Sequence, residues 1–246
     1  MLHIVHVALG GCLKKPPVSF GITADTGGHI AYVLGAALAQ ADTPRRPRVT
    51  IVTRAFDDPA LGHEYGLDHE EVAERVEIVR LRTGDPRYLT KEALVAELPM
   101  LREAFLQWID GLETPPDVVH AHFADAAVLT LAARERYGMA ALYTPHSLAL
   151  DKLACAMGRD ASARSRIERE RRAIVESNAI IVSSQDENRH QICAYDAKAS
   201  RRVRVVPPGQ MQPGRRSAAG DGCGRAMRRV RLLSAAVTLT PTTGSG

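Results

Sequence analysis

The run Asp25-Thr26-Gly27-Gly28-His29 lies between a loop and an apolar helical pattern, and its residue types suit contact with an oxygen-rich ligand. Two glycines at a helix start let the backbone turn sharply and approach a ligand, because no Cβ stands in the way. The first N–H groups of a helix have no partner within it and sit at the positive end of its dipole, so phosphate or hydroxyl oxygens dock there. A plain structural turn uses the same residues, and the run is neither the G-x-G-x-x-G turn nor a Walker A loop. A second group is His120, His122 and Asp125, and a third is Thr144, His146 and Ser147. His120 and His122 share one face of a strand, a spacing open to a metal ion. No nearby Cys or Glu completes a ligand set, so hydrogen bonding is the simpler role and neither metal nor cofactor is expected. His146 follows Pro145 at a strand-to-helix turn, where catalysis and turn-capping both suit it. Ser147 reads as a helix N-cap, since no G-x-S-x-G surrounds it.

The elements that must position these groups alternate along the chain. Short, β-branched runs at 3–9, 49–53, 76–81, 118–121, 140–144, 179–183 and 202–206 are apolar on both faces, as buried parallel strands are. Between them, helical patterns cover 91–112, 124–137, 162–177 and 185–195. After the double glycine, Ile30, Val33, Leu34, Ala37 and Leu38 recur at the spacing of a helix packed on a sheet. The fold class is therefore α/β, a Rossmann-like, doubly wound and mostly parallel sheet. Such sheets bind ligands beyond the carboxyl ends of their strands. Gly27 and Gly28 follow the first strand, His122 and Asp125 follow another and His146 a third, so the three groups converge on one edge.

At 246 residues, 45% hydrophobic and 24% charged, the chain suits one large folded domain, or one domain plus a remnant. No run approaches the ~18 apolar residues of a membrane-spanning helix, and Lys14 and Lys15 follow the first apolar run instead of preceding it, unlike a signal peptide. A cytoplasmic location without a membrane partner is expected. Cys12, Cys155, Cys193 and Cys223 form no C-x-x-C pair, which argues against a zinc site or a disulfide framework. The net charge of +4 is concentrated in residues 201–246, which hold nine arginines and one acid, so the remainder is acidic. Residues 210–246 carry no helix or strand pattern apart from 230–239 and no aromatic side chain to stack on bases. They read as a disordered basic tail, with nucleic acid an unexpected partner.

Together the segments Asp25-Thr26-Gly27-Gly28-His29, Tyr88-Leu89-Thr90-Lys91-Glu92, His120-Ala121-His122-Phe123-Ala124-Asp125-Ala126, Thr144-Pro145-His146-Ser147-Leu148, Lys152-Leu153, Arg166-Ile167-Glu168-Arg169-Glu170 and Val205-Val206-Pro207-Pro208-Gly209 carry a resemblance. Over about residues 1–209 the chain resembles the family-4 retaining glycosyltransferases, in particular the sucrose-phosphate synthase and sucrose synthase group. The resemblance implies the N-terminal, acceptor-binding half of a GT-B fold. It implies that the Gly27 and Gly28 amides meet the acceptor sugar and that His146 is the catalytic-site histidine reaching a hydroxyl near the reacting centre, while His122 and Asp125 are candidate substrate-binding residues from their place on the same edge. Lys91, Lys152 and Arg166 would meet an acceptor phosphate, as in synthases that use fructose 6-phosphate, because charge-assisted bonds to a phosphate are short and strong. Read alone, Lys91 and Lys152 serve as solvated surface residues, and Arg166 as part of an ion-pair face in a charge-rich helix.

The family usually has Gln where this chain has His29, and an imidazole splits across a ring the donor and acceptor that an amide holds at one end. In the family a second domain grips the nucleotide-sugar donor with basic residues and an E-x7-E glutamate pair, whereas the last glutamate here is Glu187. The expectation is a truncated or frameshifted glycosyltransferase, inactive alone, that takes a nucleotide-sugar donor only if a donor domain is supplied. The alternative is a non-catalytic sugar-phosphate-binding module.

Overall fold

The computed structural model describes residues 1–150 and 161–207. Lys152 and the tail 210–246 lie outside them. One sheet of eight strands organises the chain: β1 (His3–Val7), β2 (Arg48–Arg54), β3 (His69–Ala73), β4 (Val76–Leu81), β5 (Val118–His122), β6 (Ala140–Thr144), β7 (Ala179–Val182) and β8 (Val203–Val205), in the order β3-β4-β2-β1-β5-β6-β7-β8. Every neighbouring pair is parallel except β3 and β4. The order reverses direction between β1 and β5, and this switch point opens a crevice at the strands' carboxyl ends.

Helix α1 (Gly28–Ala41) covers one face of the sheet, burying Ile30, Val33, Leu34 and Ala37 against Val49, Ile51 and Ile78. The opposite face is packed by α3 (Leu98–Asp110) and α4 (Phe123–Tyr137), with Leu101, Phe105, Ala126 and Leu129 set against Val5, Val119 and Tyr143. Helix α5 (Ala161–Glu176) lies beside α4 and contributes Ala173 and Ile174 to the same core. No helix among the described residues is long and apolar enough to cross a membrane.

Three elements differ from the sequence pattern. The continuous helix expected at 91–112 is broken into α2 (Lys91–Leu94), a 3-10 turn (Val95–Glu97) and α3, with a proline in the first turn of α3, where its missing N–H costs nothing. The helix expected at 185–195 is a π-helix (Glu187–Ile192) followed by one short turn, α6 (Cys193–Tyr195). Strand β3 has no counterpart in the sequence pattern, because its one fully buried side chain is a glutamate. Glu70 pairs with Arg80 of β4 at 2.5 Å, both side chains being almost wholly buried, and the same Arg80 Nη2 donates to the Leu13 carbonyl at 3.1 Å.

Removing one partner of a buried pair leaves the other charge without compensation, which costs far more than the pair itself contributes. Glu70→Ala is therefore expected to lower the unfolding free energy by about 3–5 kcal/mol in a denaturant titration. Glu71→Ala, at the exposed neighbouring position, should stay within about 0.5 kcal/mol of the parent. Equal effects of the two changes would show that the buried pair does not hold the edge strand.

Candidate functional site

The carboxyl end of β1 runs into a loop, residues 8–27, that is tied down by its own hydroxyls. The Cys12 N–H donates to Thr26 Oγ1 at 2.8 Å, and the Thr23 and Thr26 hydroxyls meet at 2.7 Å. Asp25 accepts from the Tyr88 hydroxyl and from the Lys91 N–H, each at 3.2 Å, so one carboxylate joins this loop to the start of α2. The sharp turn lies at Gly11, whose φ is +83° and where a Cβ would stand 2.5 Å from the Asp25 carbonyl oxygen. Gly27 and Gly28, where the sequence suggested the turn, have no positive φ, and a Cβ at either would meet nothing within 4 Å. Nothing in the chain's own packing requires glycine there. Gly27 caps α1 without a side chain, leaving the first amides of that helix without a side-chain acceptor.

Histidines fill the switch point. In the β1–β5 register His6 stands opposite His120, and His122 and Thr144 are opposite each other on β5 and β6, so these residues share the face that α1 covers. His6 Nε2 lies 2.8 Å from Gln40 Oε1 of α1, His6 Nδ1 lies 2.9 Å from His122 Nε2, and His122 Nδ1 lies 2.9 Å from His146 Nε2. His120 Nε2 meets Thr144 Oγ1 at 2.8 Å. The candidate ligand atoms of His6, His120 and His122 fall within 4.8 Å of one another. At 2.9 Å the His6 and His122 nitrogens stand at hydrogen-bonding distance, closer than the roughly 3.3 Å between two nitrogens on one tetrahedral zinc.

Burial holds this group neutral. Desolvation lowers His6 to a pKa of about 4 and His146 to about 3, in the latter with help from the positive side chain of Lys91. His120 and His122 are likewise pushed well down by burial and by their neighbouring imidazoles. His29, also lowered by burial, lies 3.3 Å through Nε2 from the Gly10 carbonyl and sets its ring edge-on to Phe123. His146 sits among Tyr32, Phe123 and His122, with ring centres about 5 Å away. Its φ is +55°, and the Ser147 N–H reaches back to the Pro145 carbonyl, closing a γ-turn of the rare positive-φ kind. Phe123, with φ +70°, is the only other aromatic residue among the described residues held in this region.

A cavity of about 260 Å³ opens at the start of α4, lined by Lys91, Glu92, Phe123, Asp125, Arg166, Arg169 and Glu170, among others. Lys91 Nζ stands 4.0 Å over the Phe123 ring. Arg169 Nε pairs with Asp125 at 3.1 Å, and burial raises the Asp125 pKa against the pull of that guanidinium. Arg166 Nε pairs with Glu170 at 2.8 Å, and its Nη2 donates to the Ser147 carbonyl at 3.2 Å. Glu170, 1% exposed, also accepts from the Ala149 N–H at 3.0 Å and from the Tyr195 hydroxyl, fixing the loop that carries His146.

The structure thus brings Gly27, Gly28, His29, His122 and His146 to the crevice, and Lys91, Asp125 and Arg166 to the adjoining cavity. His122 is buried behind His146. His6, Gln40, Tyr32, Phe123, Arg169 and Glu170 were not singled out by the sequence. Arg169 and Glu170 had a visible signal in the motif that contains Arg166, whereas His6 and Gln40 had none beyond their elements.

Comparison with known proteins finds relatives for most of the chain. A family model described as a glycosyl transferase 4-like domain matches residues 27–209. Sucrose-phosphate synthase 4 of Arabidopsis thaliana is 26% identical over 238 residues, covering 83% of this chain and 23% of that protein. The sucrose-phosphate synthase of Spinacia oleracea is also 26% identical, covering 79% and 22%. The chain spans less than a quarter of the length of these relatives. Among solved structures, a sucrose-phosphate synthase from Thermosynechococcus elongatus superposes with a TM-score of 0.66 at 24% identity, over 85% of this chain and 49% of that one. The catalytic domain of starch synthase IV from Arabidopsis thaliana follows at 0.52 and 14%, over 85% and 52%. The shared architecture is the Rossmann-like half of a GT-B fold, and the chain belongs to the glycosyl transferase 4-like family.

Proposed function

We propose that residues 1–209 form the acceptor-binding half of a glycosyltransferase of the sucrose-phosphate synthase type, holding fructose 6-phosphate or a related sugar phosphate at the carboxyl edge of the sheet. The observation that carries this reading is the cavity where Lys91, Arg166 and Arg169 meet the N-terminus of α4. Cationic side chains and the free amides of a helix start are the groups that hold a phosphate. Asp125 and Glu170 hold the two guanidiniums in fixed orientation, so the site offers placed donors more than net charge. The sugar ring lies against Gly27 and Gly28, where the open space that a Cβ would fill admits it to the first amides of α1.

In the transfer reaction an acceptor hydroxyl attacks the anomeric carbon of a nucleotide-sugar from the face that the diphosphate leaves. The new C–O bond forms as the bond to the diphosphate breaks, and the hydroxyl proton passes to the departing phosphate. His146 orients that hydroxyl, which is why it must be neutral: an imidazolium has no lone pair to accept with. The work of the site is orientation, and it needs a donor-binding unit in addition to residues 1–209.

Fructose 6-phosphate at about ten times its Kd is expected to stabilise the chain by about 1.4 kcal/mol, raising Tm by roughly 3–6 °C. Unphosphorylated fructose at the same concentration should give a much smaller rise, and Lys91→Met should weaken the sugar phosphate about 10–100-fold by calorimetric titration. Equal shifts with the two sugars would overturn the phosphate site. Binding without transfer even after a donor-binding half is supplied would favour the non-catalytic module.

The depressed histidine pKa values make a separate prediction. Unfolded imidazoles take up protons below about pH 6.5, while folded His6 resists protonation down to about 4. Stability from His6 is therefore complete above about 6.5 and falls as the pH drops from there toward 4, by about 2 kcal/mol at pH 5. Denaturant titrations should show this loss, reduced in His6→Gln. A flat profile between pH 7 and 5 would contradict neutral burial.

A further inference from the structure

Four side chains from four separate elements form one continuous line: Gln40 on α1, His6 on β1, His122 at the end of β5 and His146 after β6. Each of the two imidazole–imidazole contacts at 2.9 Å needs one N–H and one bare nitrogen. A neutral imidazole has one of each, so the state of one ring dictates that of the next. The line therefore has a direction, and its end at Gln40 sets it. With Gln40 presenting its carbonyl oxygen, which only accepts, His6 Nε2 carries the proton and His6 Nδ1 is bare. His122 Nε2 must then donate to His6, which leaves His122 Nδ1 bare, and His146 Nε2 must donate to His122.

We propose that Gln40, acting through His6 and His122, fixes His146 in the tautomer protonated on Nε2, so that its Nδ1 is held as a hydrogen-bond acceptor for a substrate hydroxyl. Gln40, His6 and His122 are in this sense positioning residues, and Gln40 acts without touching the substrate. Among the described residues none hydrogen-bonds the Nδ1 of His146. The burial that keeps all three rings neutral near pH 7 preserves the single direction, because a doubly protonated ring would donate both ways and break it. The packing of Tyr32, Phe123 and His29 around His146 holds the ring so that the bare nitrogen keeps one aim. The substrate role of Nδ1 rests on the acceptor-site reading above, whereas the tautomer does not.

The test is nitrogen NMR of the full chain labelled with 15N-histidine, without ligand, at about pH 7.5, where unperturbed imidazoles are already neutral. Long-range correlations should show His6, His122 and His146 each protonated on Nε2 and bare on Nδ1. Gln40→Lys places a group that only donates against His6 Nε2, so the whole line should reverse and His146 should appear protonated on Nδ1. Gln40→Leu removes the anchor and should leave His146 in a mixture of tautomers. Position 40 is only partly buried, and circular dichroism of both variants checks that they fold. His146 protonated on Nδ1 in the parent chain, or an unchanged tautomer in folded Gln40→Leu, would overturn the proposal. The fructose 6-phosphate titration stands or fails separately, since the spectrum needs no sugar.

Discussion

The molecule depends on keeping several imidazoles uncharged inside a parallel sheet. Parallel sheets covered on both faces are ordinarily lined with aliphatic side chains, yet here His6, His120, His122 and Thr144 occupy one face at the centre, beside the switch point. A buried polar group is tolerable only if it is hydrogen-bonded. Each of these rings has a partner, and the partners are one another, Gln40 and Thr144. Satisfying them fixes the register of β1 against β5 and the seat of α1, because a shift of one residue would send every imidazole to the other face. The same condition places His146 at the end of the line, at the mouth of the crevice.

A second scaffold meets the first at that mouth. Glu170 lies in the core yet gathers Arg166, the Ala149 N–H and the Tyr195 hydroxyl, so α5, the loop after β6 and α6 share one carboxylate. Arg166 in turn reaches the Ser147 carbonyl, directly after His146. The histidine is thus held from behind by hydrogen bonds within the sheet and along its backbone by an ion pair from a helix. Positive φ at both Phe123 and His146 costs about 1–3 kcal/mol each, and persists only where the surroundings over-determine it. Two networks anchored on different elements supply that constraint.

Much of this was legible in the sequence. The seven strands of the parallel part announced themselves as short runs rich in β-branched residues, interrupted by histidines in β1 and β5, and the glycine and histidine groups fell at their carboxyl ends because the chain alternates strand and helix. What was not legible depends on contacts distant in sequence. Strand β3 reads as a charged loop until Arg80 is seen to bury Glu70. Arg166 and Glu170 read as a solvated pair four residues apart, an arrangement that exposed helices show routinely, and only the burial of Glu170 separates the two cases. His6 carries no local signal, because its role exists only once His122, 116 positions away, comes to 2.9 Å.

The double glycine shows why spacing and chemistry have to be judged apart. Its place at a helix start was readable, but the conformational reason first attached to it belongs to Gly11, where a Cβ would strike the Asp25 carbonyl. At Gly27 and Gly28 the fold leaves room for a side chain and the sequence declines it. Gly28 is the first residue of α1, and neither glycine gains a contact of its own by lacking a side chain. His29 and His146, whose rings meet edge to face with centres 6.2 Å apart, stand at the same end of the sheet, so the reason for glycine at 27 and 28 lies outside the chain's own packing.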